Sequence, residues 1–150
     1  MIAVLQRVSE ASVTIDGKIN GRIDKGLMIL LGIESRDGQE DIDWLAKKII
    51  SMRIFSDADD KMNLSCEDID GGYLVISQFT LHASTKKGNR PSFISAARPE
   101  QAIPLYESFL SELNKLTGKE IQSGEFGADM KVALVNDGPV TILIDSQDRR

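Results

Sequence analysis

The stretch LMILLGI, residues 27–33, is a continuous apolar run that follows Gly26. These seven residues are fewer than most helices contain, and an unbroken apolar run of this length fits a strand buried on both faces. We therefore predict a central strand at residues 27–33 and expect the other elements to be arranged around it.

Two strands are predicted before this run. Between Val4 and Ile15, apolar residues lie among polar ones, as they do in half-buried strands. The sequence DGK at residues 16–18 is a hairpin-turn signal, and residues 19–23 return as a second strand.

Two amphipathic helices are predicted after it. The first contains apolar residues at the spacing of one helix face, and we expect Asp37 to cap it. The second begins at Pro99, a favoured first residue, and ends at Gly118. The core-facing residues are Ile42, Leu45, Ala46, Ile49 and Ile50 in the first helix, and Ala102, Tyr106, Phe109, Leu113 and Leu116 in the second.

Four further strands are predicted at residues 53–56, 73–81, 130–135 and 140–145. The acidic turn at residues 57–61 lacks the Gly and Glu of a calcium loop, so we do not expect it to bind calcium. About seven strands and two helices in this order predict an α+β fold, with a mixed or antiparallel sheet or a barrel-like core on which the two helices pack. No linker or repeat interrupts residues 1–150, which are expected to form a single domain.

Composition excludes several classes of protein. The chain has 150 residues with one cysteine, Cys66, and one histidine, His82, so neither an internal disulfide nor a Cys- or His-based metal centre is expected. No apolar run approaches the roughly 18 residues of a membrane span, and the first residues do not resemble a signal peptide. We therefore expect a cytoplasmic protein.

Charge is distributed unevenly along the chain. The net charge is −5, yet residues 71–99 contain no Asp or Glu and carry +4, which leaves −9 for the remainder. This patch suits either a local contact with an anion or a nucleic-acid end, or a solvated loop. Its four basic residues are Lys86, Lys87, Arg90 and Arg98.

Polar residues interrupt the strand predicted at 73–81. Ser77, Gln78 and Thr80 need hydrogen-bond partners, a cavity or solvent, so they mark either a strand end or the floor of a pocket. A Ser/His/Asp triad is disfavoured, because His82 would lie roughly 7 Å from Thr80 on an extended strand and no G-x-S-x-G elbow is present. We expect His82 to lie in a loop or at the surface.

Gly138 and Pro139 separate the last two predicted strands. Proline cannot donate a ladder hydrogen bond, so this pair must lie at an edge, a bulge or a turn. Two interpretations remain open from the residues alone. One is a hairpin turn, and the other is a cis Gly-Pro bond that orients its carbonyls.

Four segments resemble the signature segments of D-aminoacyl-tRNA deacylases, also called D-tyrosyl-tRNA deacylases. They occur in the order typical of that family, and residues 1–7 and the total length match as well, so the resemblance covers essentially the whole chain. The segments are SQFTL at 77–81, KGNRPSF at 87–93, GEFGADM at 124–130 and NDGPVT at 136–141.

The resemblance implies an enzyme without metal or cofactor that hydrolyses the ester joining a D-amino acid, or glycine, to the terminal adenosine of tRNA. It also implies a homodimer with two sites at its interface. In such a site the pocket floor is Ser77, Gln78, Phe79 and Thr80.

Further residues receive roles from the same resemblance. The Gly138–Pro139 bond is implied to be cis, with carbonyls that enter the site of the partner subunit, and Arg7 is implied to brace this segment. Phe126 and Met130 are implied to hold the adenine. Lys86, Lys87 and Arg90 would contact phosphates of the acceptor end.

Two mechanisms are compatible with these residues. Backbone N–H groups at Phe79 and Thr80 can stabilise an oxyanion, but Thr80 has no evident base to activate it as a nucleophile. Assistance by the 2′-hydroxyl of the substrate is therefore favoured. Rigid carbonyls that leave no room for an L side chain would select the D enantiomer, although they could not reject glycine.

Two other classes of function compete with this one. The chain could be a non-catalytic module that binds the end of an RNA or DNA, or an interaction protein that uses only its dimer. An assay of deacylation on D- and L-aminoacyl-tRNA separates all three.

Overall fold

Eight strands and two α-helices form from residues 1–150, all of which the computed structural model describes. The strands are β1 (Ile2–Ile15), β2 (Lys18–Ile23), β3 (Gly26–Gly32), β4 (Phe55–Ser56), β5 (Met62–Leu64), β6 (Gly72–Ser77), β7 (Gln122–Ser123) and β8 (Lys131–Asp145). The helices are α1 (Gln39–Ile50) and α2 (Pro99–Thr117), and one 3₁₀ turn covers Phe79–His82.

Six strands form one mixed sheet, and the predicted central strand lies in the middle of it. The order is β2-β1-β3-β6-β7, with β8 also paired to β1. Strand β3 is antiparallel to β1 and parallel to β6, and every residue of β3 is buried except Leu30, which is partly buried. Because neither face of β3 meets solvent, its sequence is apolar without alternation.

The two ends of the sheet approach each other, so the core resembles a nearly closed barrel. The side-chain amide of Asn20 donates a 2.7 Å hydrogen bond to the carbonyl of Ser123, and the N–H of Arg22 donates a 3.3 Å bond to the side chain of Gln122. Gly21 permits this approach, because a Cβ there would lie 3.0 Å from the carbonyl oxygen of Ser123. The expected α+β fold with a barrel-like mixed sheet is confirmed.

Both helices pack on the sheet through the predicted apolar faces. Tyr106 of α2 is buried, and its hydroxyl donates a 2.9 Å hydrogen bond to the carbonyl of Val75 on β6. Pro99 opens α2 and Gly118 ends it with φ +68°, as predicted. No helix of the structure combines the length and the apolar character needed to cross a membrane.

The predicted cap of α1 is wrong. Gly38 is the N-cap residue, and the carboxylate of Asp41 accepts a 2.9 Å hydrogen bond from its N–H. Asp37 instead accepts a 2.5 Å bond from the α-amino group of Met1 and a 2.8 Å bond from the N–H of Glu34. A buried ammonium group competes for this carboxylate more strongly than a helix N–H does.

Residues 131–145 form one strand, where two strands had been predicted, and of the two interpretations left open for Gly138 and Pro139 the hairpin turn does not hold. Strand β8 is continuous, because β1 is long enough to pair with both of its halves. The ladder pairs Asn136 with Val8 and Thr141 with Gln6, so residues 137–140 bulge opposite Arg7. A bulge lets the strand continue past a proline that cannot donate a ladder hydrogen bond.

Strand β6 is shorter than predicted and ends at Ser77. Gln78 has φ −144° and ψ 81°, and the following residues form the 3₁₀ turn instead of continuing the strand. The strand predicted at 53–56 is reduced to β4, while β5 and β7 were not predicted. Strands of two or three residues are too short to show an apolar alternation.

Candidate active site

The polar end of β6 is the centre of the candidate site. The N–H of Gln78 donates a 2.7 Å hydrogen bond to the carbonyl of Leu31, which continues the pairing with β3 one residue past the end of β6. The 3₁₀ turn then presents Phe79 and Thr80, both of them exposed, at the end of the strand. Of the two interpretations of the polar residues, a strand end reaching the surface therefore describes this position, and it forms one side of the groove described below.

The Thr80 hydroxyl has one side-chain partner, and that partner is a donor. The amide nitrogen of Gln78 donates a 2.5 Å hydrogen bond to Thr80 Oγ1. No histidine, carboxylate or amine accepts the hydroxyl proton of Thr80. The backbone N–H groups of Phe79 and Thr80 begin the 3₁₀ turn, so they have no partner within it.

His82 was predicted to lie in a loop or at the surface; it lies in the turn that follows β6, but it is buried and not at the surface. The 3₁₀ turn carries the side chain back towards β3, where its Cδ2 would lie 3.1 Å from a Cβ placed at Gly32. His82 is 9% exposed, and its Nε2 atom is buried without a hydrogen-bond partner. It makes no hydrogen bond to Thr80, in agreement with the rejection of a catalytic triad.

An open groove of about 840 Å³ begins beside Phe79. The ring of Phe79 is 53% exposed and makes an edge-to-face contact with Phe93, with 5.1 Å between the ring centroids. Phe126 lies on the wall of the same groove, while the exposed Ile94 and the start of α2 complete it. The volume is within the range of small-molecule sites.

Phe126 and Met130 come from one short segment but pack in different directions. The ring centroid of Phe126 is 6.0 Å from that of Tyr106, and burial raises the pKa of Tyr106 to about 12, so this hydroxyl remains neutral. Met130 packs on a small apolar cluster between the strands, where its sulfur lies against Gly124; the cluster consists of Val8, Ala11, Val13, Ile23, Met28, Leu74 and Ile76. Of the two, only Phe126 borders the groove.

Arg7 is buried and holds the bulge of β8. Its Nε donates a 2.8 Å hydrogen bond to the carbonyl of Asp137, and its Nη1 donates a 2.6 Å bond to the carbonyl of Ile54. The Gly138–Pro139 bond is cis, and both residues are exposed. Gly138 has φ +129°, and a Cβ there would lie 2.7 Å from Nη2 of Arg7, so only glycine fits.

The two motifs lie far apart within one chain. Gly138 lies opposite Arg7 of β1, and Arg7 pairs with Leu27 of β3. Ser77 of β6 pairs with Leu31, which lies four residues further along β3. Four residues along a strand span about 13 Å. The three strand spacings from β8 to β6 add about 14 Å in the perpendicular direction along the sheet. The groove beside Phe79 accordingly includes neither Gly138 nor Pro139.

Three of the four basic residues of the predicted patch lie on an exposed loop next to the site, while Arg98 directly precedes α2. Ser84 and Ser92 exchange two backbone hydrogen bonds of 2.8 and 2.9 Å, which close the base of the loop. Lys86, Lys87 and Arg90 are exposed at its tip and form no ion pair with any residue of the chain. Their charges are therefore available to an anionic ligand.

Comparison with known proteins places the chain among hydrolases that act on aminoacyl-tRNA esters. The model of the family described as D-Tyr-tRNA(Tyr) deacylase matches residues 4–145, and the chain belongs to this family. The resemblance inferred from the four segments is confirmed.

Relatives named D-aminoacyl-tRNA deacylase match over almost the full length of both chains. The protein of Flavobacterium johnsoniae is 62% identical over 149 residues, which cover 99% of each chain. That of Bacteroides fragilis is also 62% identical with the same coverage. The chain accordingly has D-aminoacyl-tRNA deacylase activity, and the predicted hydrolase class is confirmed.

Two solved structures have the same fold. One, named c-Myc DNA Unwinding Element Binding Protein, superposes with a TM-score of 0.92 at 42% identity over 97% of this chain and 98% of its own. The other is titled a probable eukaryotic D-amino acid tRNA deacylase and has a TM-score of 0.81 over 95% of this chain and 97% of its own. At 17% identity, the second likeness concerns the fold alone.

Sequence reasoning gave no role to Phe93 and Ile94, which the structure places on the groove. Phe93 stands in the KGNRPSF segment, and Ile94 follows it directly. Two large apolar residues next to a basic loop were the signal that could have located this surface.

Proposed function

We propose that the chain is a chiral proofreading enzyme that acts as a homodimer and is complete only as one. In each site, Ser77, Gln78, Phe79 and Thr80 of one subunit would face Gly138 and Pro139 of the other. The observation that carries this proposal is the separation of the two motifs along the sheet. Two motifs that cannot meet within one chain can meet across a two-fold axis, which would use each motif twice.

The substrate would be a D-aminoacyl-tRNA whose terminal adenosine lies beside Phe126 and Met130. Water would add to the ester carbonyl, the bond from the carbonyl carbon to the ribose oxygen would break, and the proton from water would pass to that oxygen. The products would be the free D-amino acid and tRNA. The N–H groups of Phe79 and Thr80 would stabilise the oxyanion.

The 2′-hydroxyl of the ribose would assist this reaction in place of a protein nucleophile. Thr80 accepts a hydrogen bond from Gln78 and has no partner to take its proton, which supports this assignment. The protein would contribute position and oxyanion stabilisation, with no metal or cofactor.

Chiral selection would come from the backbone of the Gly138–Pro139 segment. Carbonyl oxygens held by the Arg7 brace would bind the α-ammonium group and leave no space for an L side chain. Glycine has no side chain to exclude, so glycyl-tRNA formed on a non-cognate tRNA would also be hydrolysed.

The basic loop would contact phosphates of the acceptor end through Lys86, Lys87 and Arg90. Aminoacyl-tRNA is used in translation, which takes place in the cytoplasm, so we place the enzyme there. Residues 1–150 would form one catalytic domain.

A mixing experiment tests whether the site is shared. Phe79→Pro removes one proposed oxyanion donor from the pocket floor. Gly138→Val disrupts the segment that would face the pocket floor of the other subunit. Each variant alone should be inactive on D-aminoacyl-tRNA. Co-expressed in equal amounts, they should regain about a quarter of wild-type activity, because half of the dimers would hold one intact site. Dimers without recovered activity would contradict a shared site.

Hydrolysis assays on different aminoacyl-tRNAs test the proposed chiral selection, and sedimentation tests the proposed homodimer. D-aminoacyl-tRNA and glycyl-tRNA should be hydrolysed, while L-aminoacyl-tRNA should remain intact. Equal hydrolysis of both enantiomers would contradict chiral selection. A monomer in sedimentation at micromolar concentration would contradict the homodimer.

A further inference from the structure

We propose that Gln6 is a positioning residue for the selection between enantiomers. Through Thr141 it holds the end of the β8 bulge, residues 137–140, that Arg7 does not reach. This inference rests on the proposed chiral selection by the Gly138–Pro139 segment. The family resemblance implies a brace at Arg7 and gives no role to Gln6.

The contact between Gln6 and Thr141 lies at the first ladder pair beyond the bulge. Pairing of β1 with β8 is interrupted opposite Arg7 and resumes where Gln6 pairs with Thr141, two residues after Pro139. The hydroxyl of Thr141 donates a hydrogen bond to the side-chain Oε1 of Gln6. The C-terminal end of the bulge is therefore tied to β1 by a side-chain bond of its own.

Gln6 and Arg7 act on the bulge from opposite faces of the sheet. Successive side chains of a strand point to opposite faces, and accordingly Arg7 is buried while Gln6 is only partly buried. Arg7 bonds to the carbonyl of Asp137 at the start of the bulge, and Gln6 bonds to Thr141 just past its end. The carbonyls that would select the enantiomer lie between these two anchors along the chain.

Two anchors restrict the bulge in a way that one anchor cannot. A single hydrogen bond leaves the attached peptide free to rotate about it, and a second bond on the other face of the sheet removes this freedom. Exclusion of an L side chain depends on where the carbonyls lie, and a misplacement of about 1 Å can change a reaction rate on the order of a hundredfold. Gln6 would therefore govern the selection without contacting the substrate.

The bond between Gln6 and Thr141 is exposed, so it should contribute more to local geometry than to folding. Thr141 is itself exposed, and a surface group that loses its partner can bond to water instead. Of the Gln6 amide, the oxygen alone makes a hydrogen bond within the chain. A glutamate at this position would keep that acceptor, which provides a conservative variant.

Variants of similar size test this role. Gln6→Met removes the acceptor, and Thr141→Val removes the donor. In each, the ratio of kcat/KM for D-aminoacyl-tRNA to that for L-aminoacyl-tRNA should fall about five- to tenfold, the value of one hydrogen bond. The urea midpoint of unfolding should change little. The ratio is measured on one preparation, so a loss of folded protein cancels.

Rescue and coupling distinguish positioning from general damage. Gln6→Glu and Thr141→Ser retain the bond and should keep the ratio within about twofold of the wild type. The double variant, Gln6→Met with Thr141→Val, should lose no more than either single variant, because both remove the same bond. Thr14→Val is the matched control, because Thr14 lies on the other arm of the β1–β8 ladder and its hydroxyl makes no hydrogen bond within the chain.

Several results would overturn the inference. An unchanged ratio in Gln6→Met and Thr141→Val would show that the bond does not hold the selecting carbonyls. Losses that add in the double variant, or no rescue by Gln6→Glu, would show that the two residues do not act through each other. An equal fall in Thr14→Val would assign the effect to the ladder as a whole. Equal hydrolysis of both enantiomers by the wild type would instead contradict the proposed chiral selection, and the role of Gln6 with it.

Discussion

The guanidinium of Arg7 donates a 2.8 Å hydrogen bond to the main-chain carbonyl of Asp137, the residue that precedes Gly138. A second nitrogen of the same group donates to the carbonyl of Ile54 at 2.6 Å. One buried side chain on β1 thus fixes the bulge of β8 to the turn before β4. The planar fork of arginine makes both bonds at once, which lysine cannot reproduce.

Replacing Arg7 should loosen the bulge without touching the reacting ester. Arg7→Ala leaves two carbonyls without their donor, and we expect the free energy of unfolding to fall by about 2–4 kcal/mol. Discrimination between D- and L-aminoacyl-tRNA should fall with it. Urea unfolding and paired deacylation assays measure both effects.

Arg22→Ala provides the control for this change. Arg22 is 60% exposed, and its ion pairs to Glu10 and Asp24 are long, at 4.0 and 3.9 Å. Its loss should alter stability by no more than about 0.5 kcal/mol. If Arg7→Ala behaved in the same way, Arg7 would not brace the site.

Removing the Thr80 hydroxyl should have a small effect on catalysis. Because no base accepts its proton, we expect Thr80→Ala to retain activity within about tenfold of the wild type, and Thr80→Ser to be closer still. A substrate that ends in 2′-deoxyadenosine should react on the order of 10³-fold more slowly. Single-turnover rates measure both. A loss of about 10³-fold in Thr80→Ala, with full activity on the deoxy substrate, would make Thr80 the nucleophile.

Much of the fold could be predicted from local sequence, because strong local signals agreed with the tertiary structure. The apolar run at residues 27–33 was correctly predicted as a buried strand from its length and its unbroken apolar character, and Pro99 and Gly118 mark the ends of α2 correctly. For Gly138 and Pro139 the sequence leaves an edge, a bulge and a turn open. Only the length of β1 decides that Asn136 to Pro139 continue a strand as a bulge.

The candidate site was located by resemblance, whereas its geometry depends on tertiary contacts. The 3₁₀ turn that buries His82 arises where β6 leaves β3; the polar residues mark this point as a possible strand end, but they do not predict the turn that carries the side chain back towards β3. The sequence pattern marks Asp37 as a helix cap, but the fold brings the α-amino group of Met1 to its carboxylate. The exposure of Ile94 likewise depends on how the loop is anchored.

Binding of tRNA should depend on salt through the basic loop. With Lys86, Lys87 and Arg90 on phosphates, a plot of log affinity against log salt should have a slope of about −2 to −3. Replacing all three by alanine should bring the slope close to zero. The exposed pair Lys47 and Lys48 on α1, replaced together, should leave it unchanged. A wild-type slope retained by the loop variant would place the phosphate contacts elsewhere.

Stability should decline in alkali because of Cys66. Burial raises the pKa of this thiol from 9.0 to about 11, so between these values the unfolded chain releases a proton that the folded chain retains. Stability is thus complete below pH 9 and falls as pH rises towards 11, by about 2–3 kcal/mol at 1.36 kcal/mol for each pKa unit. Urea unfolding across this range measures the decline.

Two variants identify the group responsible. Cys66→Ala should decline clearly less than the wild type from pH 9 to 10, where the thiol is the group that titrates most in the unfolded chain. Tyr106→Phe should keep most of the wild-type decline in that interval, because tyrosine, with its ordinary pKa of 10.0, titrates only partly there. The same decline in Cys66→Ala would contradict the assignment.

The pairing of β1 with β8 has a consequence for the fidelity of folding. Arg7 reaches Asp137 because the ladder sets it opposite the bulge at residues 137–140, and a slip of one residue would put Gln6 or Val8 in its place. Neither side chain could span the two carbonyls, and the apolar face of β1 would turn away from the core. Misregistered molecules would therefore be unstable, so the alignment of two strands selects against molecules in which the bulge of β8 is not held.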